Sequence, residues 1–153
     1  MNLNVTNVGI GDILVCSEPG VLRTVLGSCV ALCMYDIKKK IAGLAHVVLP
    51  RYNGRDSRSR FADTAYTLLL ERLCSSGARK KYLVARLAGG ARMFIVSNRS
   101  PFADIGTQNA SVLRESLNRD GIPLLSENIG GERGMVVTFA SGNGTITIRL
   151  LGQ

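Results

Sequence analysis

Apolar residues fall first into short continuous runs and then, past the middle of the chain, into a helical spacing. Asp12–Cys16 and Val21–Leu26 are short apolar stretches separated by Ser17-Glu18-Pro19-Gly20, and they read as two strands around a turn. Cys29–Tyr35 is continuously apolar, and Ile41–Leu49 is interrupted only by Gly43 and His46. Runs without alternation suit strands covered on both faces. Asp36–Lys40 is the polar connection between them.

From Phe61 the period changes. Phe61, Ala65, Leu68, Leu69 and Leu73 line one face of a helix. Ser57 or Ser59 is the expected cap, Asp63 suits the first turn, and Gly77 ends it. Lys81–Leu87 reads as a strand leading to Gly89-Gly90. A second helix is predicted from about Gly106 to Arg119, stopped by Gly121 and Pro123. Leu124–Ile129, Met135–Phe139 and Thr145–Leu151 are closing strands, with Gly142-Asn143-Gly144 as a hairpin turn between the last two. Many strands with two main helices imply an α/β sandwich, not a regular βαβ alternation. No repeat or linker breaks the chain, so residues 1–153 are read as one domain.

Composition narrows the class. At 153 residues and 46% apolar, the chain is neither disordered nor dependent on a metal or disulfide scaffold. The longest apolar runs fall well short of the ~20 residues of a membrane helix. Met1–Ile10 has neither a basic start nor an apolar core, so a cytoplasmic protein without a secretory leader is expected. Cys16, Cys29, Cys33 and Cys74 are then expected to be reduced. With His46 as the sole histidine, their spacing forms no metal site.

The net charge is +8. Residues 37–100 hold fourteen Lys/Arg against three acids, so the whole excess lies in the middle third. That field favours an anionic partner: nucleic acid, membrane or acidic protein. No recognition helix, zinc finger or RNA-binding aromatic motif accompanies it, which argues against nucleic acid. Lys38-Lys39-Lys40 reads as a solvated turn, whereas Arg51, Arg55, Arg58 and Arg60 form a denser set just after the His46 run.

One segment carries chemistry. Gly27-Ser28 joins a strand end to the run that begins at Cys29, and glycine permits a tight backbone there. A cysteine after such a turn can leave the backbone N–H groups of Ser28 and Cys29 exposed as oxyanion donors. A Cys in an apolar strand is more often a small core residue, and a His in one is more often a satisfied core histidine. The predicted hairpin ties the two together. With Asp36 opposite Ile41, Ala31 faces His46 and Cys29 faces Val48. Cys29 and His46 then share a sheet face as diagonal neighbours, roughly 7–8 Å apart at the backbone. This is the arrangement of a Cys–His nucleophile pair, in which an imidazolium would lower the thiol pKa. Thr24, near the end of the preceding strand, is a candidate to hold the other ring nitrogen.

These residues resemble the chemoreceptor glutamine deamidases of the CheD family. The likeness rests on Thr24-Val25-Leu26-Gly27-Ser28-Cys29-Val30-Ala31-Leu32-Cys33-Met34-Tyr35-Asp36 and Gly43-Leu44-Ala45-His46-Val47-Val48-Leu49-Pro50. It continues through Phe61-Ala62-Asp63-Thr64-Ala65, Ala88-Gly89-Gly90-Ala91 with Met93-Phe94, and Gly130-Gly131. The resemblance implies an α/β/β sandwich of mostly antiparallel strands. It implies hydrolysis of glutamine side-chain amides on chemoreceptor cytoplasmic helices, and of receptor methyl esters. On it, Cys29 is the nucleophile, His46 the general acid/base and Thr24 the residue orienting His46. No cofactor or metal is implied, and no membrane insertion. The CheC phosphatase is an implied partner, and a non-catalytic adaptor binding CheC or receptor is the alternative. The arginines Arg51, Arg55, Arg58 and Arg60 then become a docking surface for acidic receptor helices. Met93, Phe94 and Phe102 are read as core or as a partner surface near Gly89-Gly90.

Overall fold

A computed structural model describes residues 4–92 and 105–152. Met93, Phe94 and Phe102 lie outside the described residues. The described strands, in chain order, are β1 (Asn4–Asn7), β2 (Ile13–Ser17), β3 (Gly20–Leu26), β4 (Val30–Asp36), β5 (Ile41–Val47), β6 (Leu83–Gly89), β7 (Leu124–Ile129), β8 (Met135–Ala140) and β9 (Ile146–Leu150). The helices are α1 (Ala62–Ser75) and α2 (Ile105–Asp120). One sheet has the order β1-β3-β8-β9, the other β2-β5-β4-β6-β7. Pairing is antiparallel except for β1 with β3 and β6 with β7.

The two unbroken apolar runs are the inner strands of the larger sheet, and every residue of β4 and β5 is buried. Both faces are covered because each looks into a different core. Val30, Leu32 and Met34 of β4, with Ile41, Ala45 and Val47 of β5, pack with Tyr66, Leu69 and Leu73 of α1 and Leu113 and Leu117 of α2. Ala31, Cys33 and Tyr35, with Ala42 and Leu44, point the other way and meet Leu22, Leu26, Val137 and Phe139 of the smaller sheet. The result is an α/β/β sandwich. At Gly43 a Cβ would lie 2.6 Å from the Leu69 side chain, so glycine lets α1 rest directly on β5.

The β4–β5 hairpin has the register that its sequence pattern predicts: Asp36 faces Ile41 and Ala31 faces His46. Other details differ. Neither Ser57 nor Ser59 caps α1; the N-cap is Phe61, with no side-chain cap. Phe61 is held extended by a parallel bridge to Leu49, and the first helical N–H groups donate to the chain just after β5. Ala62 N bonds Leu49 O at 2.8 Å and Asp63 N bonds Pro50 O at 3.3 Å. A strand end thus replaces the serine cap. Ser57 and Ser59 instead hydrogen-bond each other at 2.8 Å beside a short 3-10 turn, Arg58–Arg60. The strand expected from Lys81 begins at Leu83, because Lys80–Tyr82 is a second such turn. The exposed β1 has no apolar signature and is absent from the sequence reading.

Candidate active site

Thr24, Cys29 and His46 come from β3, the turn before β4, and β5. His46 shares the inward parity of Ala42 and Leu44, and Cys29 shares that of Ala31 and Cys33; both therefore face the gap between the sheets. Across that gap, Thr24 is an inward position of β3, between exposed Arg23 and Val25. Its Oγ1 lies 2.7 Å from His46 Nδ1. The same hydroxyl donates to the Val8 carbonyl at 2.7 Å. A hydroxyl has one proton, and Val8 O can only accept. Thr24 therefore accepts from His46, which places the ring proton on Nδ1 and leaves the Nε2 lone pair free. The relay runs from His46 Nδ1–H to Thr24 O–H to Val8 C=O.

The ring is also fixed through its backbone. His46 N donates to Asp12 O at 3.0 Å, and Gly11 N donates to His46 O at 3.0 Å. The side chain is 2% exposed. Burial lowers the His46 pKa below that of a free imidazole, with the Val8 carbonyl and Asp12 offsetting part of the effect. Burial likewise raises the Cys29 thiol, with the Arg60 guanidinium pulling it partly back. Both shifts favour the neutral forms, thiol and imidazole. The sequence pattern predicts an imidazolium lowering the thiol pKa, and burial acts against that shift at both groups.

The turn holding Cys29 is built from backbone. Val48, which would face Cys29 in a longer ladder, is already engaged: its N–H donates to Arg60 O at 2.9 Å, and its carbonyl accepts Asn109 Nδ2 at 3.1 Å. The β4–β5 ladder accordingly stops at Val30–Val47. On the other side Gly90 N donates to Cys29 O at 2.8 Å, and Ala91 N to Gly27 O at 3.0 Å. A Cβ on Gly89 (φ 114°) would collide with the Cys29 carbonyl oxygen, so only glycine permits this approach. Among the described residues, no backbone carbonyl accepts the Ser28 or Cys29 N–H.

The other thiols differ. Cys33 is fully buried, and burial pushes it up to about 12 despite Arg86 nearby, which leaves it inert at neutral pH. Cys16 is half-buried and also raised by burial, while Cys74 is exposed on α1. Cys16 and Cys33 also face the gap between the sheets, and Cys29 is set apart as the partly exposed thiol in the turn before β4.

The four arginines separate. Arg51 pairs with Glu115 of α2 at 3.2 Å. Arg58 lies 5.5 Å above the Tyr52 ring. Arg55 is exposed in the loop. Arg60 alone acts on Cys29; its stem packs over Gly11, whose added Cβ would lie 2.9 Å from Arg60 Cγ. Two contributors escaped the sequence reading. The Val8 carbonyl has no side-chain signal. Asn109 had one: it is a polar residue on the apolar face of α2, fully buried, and its Oδ1 has no partner among the described residues.

Comparison with known proteins identifies relatives of the chain. Residues 40–150 match the family model described as CheD chemotactic sensory transduction. A Clostridium novyi protein named "probable chemoreceptor glutamine deamidase CheD" is 40% identical over 100% of the chain and 97% of its own length. A Methanococcus vannielii protein of the same name is 45% identical over 95% of the chain and 94% of its own length. Among solved structures, a Neisseria meningitidis protein of the DUF152 family aligns with a TM-score of 0.52 at 12% identity, covering 85% of the chain and 65% of that protein. That likeness concerns the fold alone.

Proposed function

The chain belongs to the CheD family, and from that premise we propose that it is a chemoreceptor glutamine deamidase whose nucleophile is Cys29. The observation that carries the mechanism is the relay from His46 through Thr24 to Val8, which leaves Nε2 unprotonated on the face shared with Cys29.

In this reading a receptor glutamine places its side-chain carbonyl carbon against Cys29 Sγ. His46 Nε2 takes the thiol proton as sulfur attacks, so the thiolate forms only as it is consumed. The Ser28 and Cys29 N–H groups hold the developing oxyanion. His46 returns the proton to the departing nitrogen, ammonia leaves, and a thioester remains. Water then attacks the thioester with His46 as base, releasing glutamate and restoring the thiol. A receptor methyl ester would enter the same thioester with methanol as the leaving group. Exposed Arg55 and the Arg58–Tyr52 stack offer contacts to acidic receptor helices beside the cleft. CheC is proposed as a further partner.

Replacement of Cys29 by Ala should abolish Gln-to-Glu conversion on a receptor cytoplasmic fragment, read by peptide mass spectrometry, while Cys16→Ala and Cys74→Ala keep it. Full activity without Cys29 would remove the mechanism. A thioester trapped in a single turnover separates an enzyme from an adaptor that only binds.

A further inference from the structure

The opposite end of β4 is a second charged surface. β4 runs seven residues from Val30 to Asp36, so its far end lies about 20 Å from the Cys29 turn. There the turn carrying Lys38, Lys39 and Lys40 meets the segment carrying Arg79, Lys80 and Lys81. One buried carboxylate ties the two together. Asp36 Oδ1 accepts Lys38 N and Lys39 N, both at 2.8 Å, and Oδ2 accepts Arg79 N at 2.8 Å. Burial alone would raise the Asp36 carboxyl, but these donors more than reverse it, so it stays ionised. Six exposed cations are thereby fixed on one platform instead of drifting on separate loops.

Three carboxylates, Asp36, Glu18 and Asp120, offset only part of this charge. Lys40 pairs loosely with Glu18 at 3.7 Å, and Lys80 with Asp120 at 3.3 Å. Among the described residues, Lys38, Lys39, Arg79 and Lys81 have no carboxylate in ion-pair reach. Apolar groups sit among them. Ile37 is 52% exposed at the turn. The Tyr82 ring is half-buried, with Lys38, Arg79 and Lys81 at 5.8, 5.8 and 5.1 Å from its centroid.

We propose that this platform is a peripheral docking surface for anionic lipid headgroups, with Ile37 and the Tyr82 edge reaching the headgroup–acyl boundary. Clustered Lys/Arg around a small apolar tip is the composition that holds a soluble protein on a negatively charged leaflet. Nucleic acid fits less well, because the Tyr82 face that would stack a base is already taken by cations. Docked this way, the molecule holds its Cys29 end some 20 Å farther from the leaflet than the lysine turn. No helix among the described residues is long and apolar enough to cross a membrane, so the contact is adsorption, not insertion.

The test is co-sedimentation of the full chain with mixed phosphatidylglycerol/phosphatidylcholine vesicles against pure phosphatidylcholine. Binding should need the anionic lipid and weaken with salt. Lys38→Gln/Lys39→Gln/Lys81→Gln should lose about a hundredfold in vesicle affinity, at roughly fivefold per cation. Ile37→Ser should lose severalfold, and Arg55→Gln/Arg58→Gln should bind as wild type. Absence of binding to anionic vesicles overturns the proposal, and so does an equal loss in the Arg55/Arg58 variant, which would mean net charge alone. Retention of a soluble acidic helical peptide, lost in the triple variant while vesicles are ignored, would assign the surface to a protein and overturn it too. Deamidation of a soluble receptor fragment should be unchanged in the triple variant. Vesicle binding and the proposed catalysis can therefore fail independently.

Discussion

Thr24→Val is the substitution that interrogates the site most directly. Valine keeps the shape and deletes the hydroxyl that links His46 Nδ1 to Val8 O, at 2.7 Å on each side. Two buried groups, a ring N–H and a carbonyl, lose their partner, and each costs about 1–3 kcal/mol when left unsatisfied. A stability loss of about 2–6 kcal/mol follows, or roughly 4–24 °C in Tm for a chain of this size. The catalytic effect is separate. Without an acceptor at Nδ1, the ring is free to carry its proton on Nε2 or to turn, and the base for Cys29 is lost. kcat should fall about 100-fold or more, the usual worth of a placed general base, with KM little changed. Thr24→Ser keeps the hydroxyl and should restore most of kcat. The assay is initial-rate deamidation of a receptor fragment by mass spectrometry, with thermal unfolding in parallel. Wild-type kcat in a folded Thr24→Val variant, or no recovery in Thr24→Ser, would refute the relay.

Other outcomes follow from the same geometry. Alkylation of Cys29 by iodoacetamide should titrate above the ordinary thiol range of about 8.5, because burial outweighs Arg60; Arg60→Gln should raise it further, and an apparent value near neutrality would restore the ion-pair picture. The His46 pKa is lowered on folding, so the unfolded chain binds a proton that the folded chain refuses. Stability should therefore be full above about pH 6.5 and decline as pH falls below it, a slope in Tm that His46→Gln should flatten. Gly89→Ala forces a Cβ onto the Cys29 carbonyl at a positive φ; a loss of about 2 kcal/mol or more in chemical denaturation is expected, and a neutral result would contradict the close approach. Arg55→Glu/Arg58→Glu should raise KM on receptor fragments and flatten its salt dependence, whereas unchanged kinetics would make those arginines mere surface.

The sequence carries the hairpin because its determinants are local. Two buried strands and a four-residue polar link leave one register that keeps both runs inside, and that register alone sets Cys29 and His46 on one face. What it hides is non-local or backbone-made. β1 is polar and exposed, held only by parallel pairing to β3, so no periodicity announces it. Yet it positions the Val8 carbonyl on which the relay ends. The serine cap fails for the same reason, since Leu49 and Pro50 carbonyls from a distant strand end supply what a local side chain would have given. The upward shift at Cys29 and the downward shift at His46 come from burial, which composition does not encode. Asp36 is the instructive middle case. An Asp ahead of an isoleucine and three lysines is a legible turn former, but its third bond, to Arg79, comes from 43 residues away and turns a solvated lysine run into a fixed platform.

Thr24 belongs to one sheet, while His46 and the Cys29 turn belong to the other. The working centre is thus an assembly of two halves that meet only while the layers are closed. On the proposed mechanism a parting of the layers would break the Thr24–His46 link, and turnover would gauge that gap. A partner that wedged the layers apart at the Val8 side would silence the enzyme without covering Cys29. One that clamped them would quicken it with no change in any reacting group.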